Sequence, residues 1–420
     1  MVASRRIKVF QVLVGGEWAG GAAVVHPFVK RLIQEGYDVW VLCLTDEVSR
    51  RFKEIGANII RSRHWKREIN LSDLFAFLEL IRLCRQYKFD IVHTHTSKGG
   101  FLGRIAARLA GTPIVIYTIH GFTFNELSPR PIKMFYTFLE RLASPFCDVM
   151  IAVAEEHRRC AINRKMVKPD KIITIHNGID ASRFDNLVDR DAKRDELSCP
   201  KDSLLIGSVG RLVASKGPEY LLRAIPLVVQ EYPQTHFLFV GDGPQKSELI
   251  SLAKDLAIDN RCHFLGFRRD IPELLACFDI FVLPSPREGL SVALLEAMAS
   301  TRPVIATNVS GNRELVNSGV DGILVKPADP PALAEAIIDL MRDKARARAM
   351  GERARHKAKT SFNEQEMVER TLELYTSVCQ GYSTRRSPIP RPSQRVDPGG
   401  GIRAFSTHAG AINGKRPRLR

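Results

Sequence analysis

This 420-residue chain lacks the signatures of several large protein classes. No apolar run approaches the roughly 18 residues that a membrane-crossing helix needs. The eight cysteines, at 43, 84, 147, 160, 199, 262, 277 and 379, are scattered and never form C-x-x-C. That argues against a disulfide scaffold or zinc site and for reduced, buried thiols in a cytoplasmic protein. Neither G-x-G-x-x-G behind a first strand nor G-x-x-x-x-G-K-[ST] occurs, so NAD binding and a P-loop have no support. The basic lead MVASRRIKVFQVLVGG has a short apolar run that ends in glycines and no small-residue cleavage site. It reads as a first β-strand rather than a signal peptide.

Charge is plentiful but uneven. The formal net charge is +16, and residues 381–420 supply half of it with nine Lys and Arg against one Asp. That tail (SPIPRPSQ, DPGGG, KRPRLR) has almost no large apolar residues and reads as disordered. The remainder is only mildly basic and shows no folded basic face with interleaved aromatics, so nucleic acid is not an expected partner. Anionic ligands or an anionic membrane surface fit at least as well.

The chain is long enough for two domains. In the first half, strand-like runs at 7–15, 37–44, 90–96 and 113–121 alternate with helical patterns at 24–36, 72–89 and 100–111. The second half repeats the scheme, with strands at 204–212, 236–243, 262–267, 279–285 and 303–309. Helices between buried strands imply right-handed crossovers and parallel sheets. The expected fold is therefore α/β, with two Rossmann-like domains facing each other across a cleft. The boundaries read as 1–180, 181–361, a C-terminal helix at 362–380 expected to pack back on the first domain, and the tail.

Ligands of such sheets bind beyond the carboxyl ends of the strands, and the chemistry clusters there. GRLVASKG (210–217) places Arg211 and Lys216 at a strand-to-helix turn, a bidentate fork and a point charge suited to phosphate oxygens. PREGLSVALLEAMAS (286–300) places Glu288 before a helix and Glu296 inside it. The free N–H groups around Leu290, Ser291 and Val292 form an anion site at that helix start. Helical side chains lean toward the N-terminus, so both carboxylates can address one ligand. Carboxylates accept hydrogen bonds from sugar hydroxyls, at roughly 1.5–3 kcal/mol each. A phosphate flanked by hydroxylated rings is a nucleotide sugar. The alternative is a helix-dipole Glu288, a surface Glu296 and two solvated loop cations.

REGLSVALLEAMAS with PVIATNVSGNRELV (303–316), GRLVASKG, IHNGID (175–180) and DIVHTHTSKGGFLGRIAARLAGTPIVIYTIHGFTF (90–124) together resemble retaining glycosyltransferase family 4, of GT-B fold and E-x₇-E signature. The likeness spans residues 7–380 and is to bacterial members that build cell-surface polysaccharides. It implies that Arg211 and Lys216 hold the donor diphosphate and that Glu288 sits beside the donor sugar. It further implies that Glu296 binds the ribose, with Leu290, Ser291 and Val292 amides cradling phosphate. Gly20 and Gly21 match the small-residue loop of the other domain, His120 matches a histidine at the cleft edge, and Asn177 belongs to the interdomain turn. Transfer would be anomer-retaining, with the leaving phosphate helping to deprotonate the acceptor, and no metal or other cofactor is expected. The expected donor is a UDP-sugar of hexose type, and its base would be recognised near GDGP (241–244) and GFRRDI (266–271). The expected acceptor is a glycan or polyprenyl-linked saccharide.

His95, Ser97 and Lys98 are acceptor-side candidates. His93 and His95 point the same way along a strand but have no third ligand for a metal. His176 reads as structural. The stretch RPIKMFYTFLERLASPF (130–146) is either an amphipathic helix packed on its domain or a membrane contact for a lipid-linked acceptor, at the inner face of the plasma membrane. A nucleotide-sugar epimerase or hydrolase, or a non-catalytic scaffold, would use the same fold. The apolar, basic 130–146 stretch argues against the first pair and the intact charged set against the second.

Overall fold

Runs such as Ile114–Ile119 (IVIYTI) are buried at every position, which only a parallel sheet covered on both faces can satisfy. The computed structural model describes residues 5–383 apart from 15–17, 19, 63, 66–70, 126–127, 186–188 and 201. The basic tail expected at 381–420 lies outside the described residues beyond Ser383. Two all-parallel sheets are present. The first holds β1 (Lys8–Val12), β2 (Asp38–Cys43), β3 (Asn58–Arg61), β4 (Ile91–His95), β5 (Ile114–Ile119), β6 (Val149–Ala152) and β7 (Ile172–Thr174), in spatial order 3-2-1-4-5-6-7. The second holds β8 (Leu204–Val209), β9 (Thr235–Val240), β10 (Cys262–Gly266), β11 (Ile280–Leu283), β12 (Val304–Thr307) and β13 (Ile323–Val325), in order 10-9-8-11-12-13. Each order reverses next to its first strand, β1 against β4 and β8 against β11, and such a switch point opens a crevice at the strand ends.

The chain crosses between the sheets twice, and the crossings lie side by side. Ile179 N donates to Phe362 O at 2.8 Å, and Glu364 N donates to Ile179 O at 3.2 Å. The last helix, Glu364–Ser383, then returns to the first sheet, where Met367, Val368, Tyr375 and Cys379 join the core around Val29, Leu32 and Val41. All eight cysteines are free, six of them buried. No helix among the described residues is long and apolar enough to cross a membrane.

Candidate active site

The sequence around Glu288 is held from both sides. Beyond β11 the chain passes Glu288 to Ser291, whose Oγ accepts from Leu294 N at 3.4 Å and caps the helix Val292–Ala299. Gly289 comes so close to the first domain that a Cβ there would stand 1.8 Å from the His120 carbonyl oxygen, so only glycine fits. Asn125 Nδ2 donates to Pro286 O at 2.8 Å, Arg287 donates to Thr123 O, and Asn177 Nδ2 donates to Leu290 O at 2.9 Å. Three side-chain bonds thus tie the Glu288 loop across the domain junction.

Glu288 itself is 8% exposed, and Lys216 Nζ lies 2.7 and 2.9 Å from its two oxygens. Lys216 closes the 3-10 turn Ala214–Lys216 after β8, and Gly217, at φ 64°, redirects the chain into the helix Pro218–Glu231. Glu288, Lys216 and Arg211 line one cleft of about 800 Å³ together with His120, Asn177 and Leu290 to Ala293. That volume suits a nucleotide-sized ligand.

Two helix starts meet at this cleft. Gly20 and Gly21 are the first residues of the helix Gly20–Gln34 of the first domain, and Val292 opens the helix of the second. A Cβ on Gly20 would stand 3.3 Å from Val292 Cγ2, whereas one on Gly21 would meet nothing within 4 Å. Gly20 therefore packs across the gap and Gly21 leaves it open. The first-turn N–H groups of both helices have no acceptor within their own helix and sit at its positive dipole end, which together favour an anion between them. The rest of GGEWAGG, residues 15–17 and 19 apart from Trp18, lies outside the described residues.

Glu296 is the one charged side chain in VALLEAMA and lines the cleft. Burial pushes its carboxyl up to about 7, with Arg183 pulling the other way. His120 also lines the cleft. Its Nε2 lies 3.1 Å from His95 Nδ1, and burial lowers its imidazole to about 4, so the ring is neutral.

The acceptor-side candidates sit elsewhere. His95 is 2% exposed, beneath His120, with Nε2 2.8 Å from Gln11 Oε1. The alternation of β4 puts His93 and His95 on one face, and that face is covered by the returning C-terminal helix: His93 Nδ1 lies 2.8 Å from Tyr375 Oη. Ser97 accepts from Thr123 Oγ1 at 2.9 Å, and Lys98 is paired with Asp73 on the neighbouring helix; neither is among the residues that line the cleft around Glu288.

Trp18, Glu47 and Arg51 escape a reading of sequence alone; they face Phe267, Arg268 and Arg269 of the GFRRDI stretch across the opening. The Arg51 guanidinium stands 4.3 Å over the Trp18 ring, and Arg269 pairs with Glu47 at 3.1 Å between the domains. His176, beside Asn177, is part of a second clasp. Glu314 accepts from Glu155 N (2.9 Å), Glu156 N (2.7 Å) and His176 Nε2 (2.8 Å), while Arg313 grips Glu156 with two bonds of 2.8 Å. Burial works against the Glu314 carboxylate, yet His176 and the two N–H groups prevail and hold it below its usual range. The only signal for these pairs was charge in NRELV, which does not name a partner.

Residues 18–183 match the family described as Glycosyltransferase Family 4, and residues 189–357 match Glycosyl transferases group 1. The chain is 36% identical over 309 residues to the UDP-Gal:alpha-D-GlcNAc-diphosphoundecaprenol alpha-1,3-galactosyltransferase of Escherichia coli, covering 73% of this chain and 80% of that one. It is 28% identical over 363 residues to the capsular polysaccharide biosynthesis glycosyltransferase CapM of Staphylococcus aureus, covering 83% and 92%. The fold superposes on that of Anabaena Alr3699/HepE, solved with UDP-glucose, with a TM-score of 0.76 at 23% identity over 89% of this chain and all of that one. The chain belongs to the family 4 glycosyltransferases, enzymes of GT-B fold.

Proposed function

We propose that this glycosyltransferase moves a hexose-type sugar from a UDP-sugar, with retention of anomeric configuration, to a lipid-linked saccharide in surface-polysaccharide assembly. One observation carries the reading: Arg211, Lys216, two helix N-termini, Glu288 and Glu296 all address a single cleft of about 800 Å³. The diphosphate lies between Arg211, Lys216 and the amides of Leu290, Ser291 and Val292. These groups neutralise the charge that grows on the nucleotide as it leaves, so the reaction requires no metal. Lys216 already stands on Glu288, so an arriving phosphate shares the ammonium while Glu288 turns to the donor sugar. Glu296 takes the ribose hydroxyls. The E. coli relative is named for a UDP-galactose donor and a diphosphoundecaprenol acceptor, which supports this donor and acceptor class.

A lipid-linked acceptor must be met at a membrane. The helix Arg130–Ala143 exposes Ile132, Met134, Phe135, Phe138 and Leu142, and its only acidic residue, Glu140, is held by Arg104. The helix Ser72–Tyr87, on the other side of Ser97–Leu109, exposes Leu74, Phe75 and Leu78. We assign this apolar, basic-edged face of the first domain to an anionic membrane surface, from which the acceptor reaches the cleft. The test is a transfer assay with UDP-galactose and UDP-glucose and a short-chain polyprenyl-diphosphate-linked N-acetylglucosamine. The expected product keeps the donor's anomeric configuration by NMR. Free sugar and UDP with no disaccharide, or an inverted linkage, refute the proposal.

A further inference from the structure

Three histidines of the first domain form a hydrogen-bonded chain from the cleft wall to the C-terminal helix. His120 Nε2 lies 3.1 Å from His95 Nδ1, and His95 Nε2 lies 2.8 Å from Gln11 Oε1. Gln11 Nε2 donates to Tyr375 Oη at 3.0 Å. Tyr375 Oη lies 2.8 Å from His93 Nδ1, whose Nε2 lies 2.7 Å from Thr118 Oγ1. Gln11, His93, His95 and Tyr375 are each no more than 2% exposed, so their polar atoms must be satisfied inside the protein.

The amide of Gln11 gives the chain a direction. An amide oxygen only accepts, so His95 carries its proton on Nε2. Neutral His95 then has a bare lone pair on Nδ1, and His120 must donate to it from Nε2. On the other arm, Tyr375 accepts from Gln11 and gives its own proton to His93 Nδ1, and His93 Nε2 donates to Thr118. The rings are neutral: burial takes His93 to about 3 and His120 to about 4, and burial beside the other two rings holds His95 well below its ordinary value. His120 is therefore left with an unprotonated Nδ1 that has no protein partner among the described residues, on a ring that lines the cleft.

We propose that Gln11, held by Tyr375 and acting through His95, fixes His120 as the Nε2–H tautomer so that Nδ1 accepts a hydrogen bond from a sugar hydroxyl. Gln11, His95 and Tyr375 are positioning residues, and Tyr375 makes the returning C-terminal helix part of the active site. The tautomer stands independently of the proposed reaction, while its ligand rests on it.

The primary test is nitrogen NMR of the ligand-free protein labelled at histidine. Wild type should show His120 protonated at Nε2 alone. Gln11→Met removes the acceptor and should populate both tautomers of His120. Tyr375→Phe removes one hydroxyl, keeps the ring against Phe28 (5.0 Å) and frees the amide to turn, and it should do the same. A wild-type proton on Nδ1, or an unchanged His120 in both variants, overturns the proposal while leaving the transferase reading intact. Loss of transfer in wild type with the tautomer as expected refutes only that reading. Calorimetry then places the hydroxyl. If it belongs to the donor, the variants bind UDP as wild type does but UDP-galactose or UDP-glucose about 3- to 10-fold more weakly. If it belongs to the acceptor, donor binding holds and kcat at saturating donor falls by that factor. Unchanged donor binding with unchanged kcat overturns the contact.

Discussion

Replacing Glu296 by glutamine should make the protein more stable and a poorer nucleotide binder at once. The carboxyl sits on an otherwise apolar helix, and burial moves it from an ordinary 4.5 to about 7. At 1.36 kcal/mol per pH unit that difference is worth about 3 kcal/mol. The sign follows from proton counting. Below pH 4.5 the group is protonated folded or unfolded, and it contributes nothing. Between 4.5 and 7 the folded chain keeps a proton that the unfolded chain has lost, so stability falls as pH rises. Above pH 7 the penalty is complete. Urea unfolding of wild type and Glu296→Gln at pH 5 and pH 8 measures it. The variant should match wild type to within about 1 kcal/mol at pH 5 and exceed it by about 2–3 kcal/mol at pH 8. Its UDP affinity at pH 8 should drop by about 10- to 100-fold, the loss of a charged hydrogen bond to the ribose. Parallel loss of stability in the two proteins between pH 5 and pH 8 would refute the reasoning. Such an opposition of stability and binding is the usual mark of a functional group.

Lys216→Ala removes the phosphate cation and leaves buried Glu288 without its partner. Turnover and UDP affinity should both fall by about 100-fold or more, equivalent to about 3 kcal/mol, with the fold retained by circular dichroism. Gly289→Ala forces the loop away from the His120 carbonyl, and kcat should fall by at least about tenfold while unfolding of each separate sheet core is little changed. Replacing Phe135 and Phe138 together by serine removes two exposed aromatics from the proposed docking face. Co-sedimentation with vesicles containing anionic lipid should be lost, while transfer to a water-soluble acceptor analogue persists; undiminished vesicle binding would contradict the assignment.

The central strands were legible because a strand buried on both faces must be apolar throughout. IVIYTI and IFVL announce themselves in this way. Three of the four edge strands were not: NIIR, IIT and ILV have three or four residues and one neighbour each, too short for any period to show, whereas CHFLG, the fourth, has five and was legible. VMIA is as short and as fully buried as IFVL, but it runs on into VAEE, where IFVL is closed by the turn signal PSP. In the cleft, Glu288, Glu296, Arg211 and Lys216 could be read from their positions at strand ends and helix starts. The partners that hold them could not, because Gln11 and Tyr375, Glu156 and Arg313, and Asn177 and Leu290 are joined only by folding. His95 shows the limit: alternation fixes that it shares a face with His93, but only the returning C-terminal helix decides that this face is closed.

The most direct test of the donor site is unfolding of wild type and Lys216→Ala with UDP, GDP and ADP in turn. At about 100 times its Kd a nucleotide stabilises the folded state by roughly 2.7 kcal/mol. UDP should stabilise wild type by about this amount and more than GDP or ADP, and the same UDP concentration should leave Lys216→Ala almost unmoved. Equal stabilisation of the two proteins by UDP, or none of wild type by any nucleotide, would contradict a donor diphosphate held at Lys216.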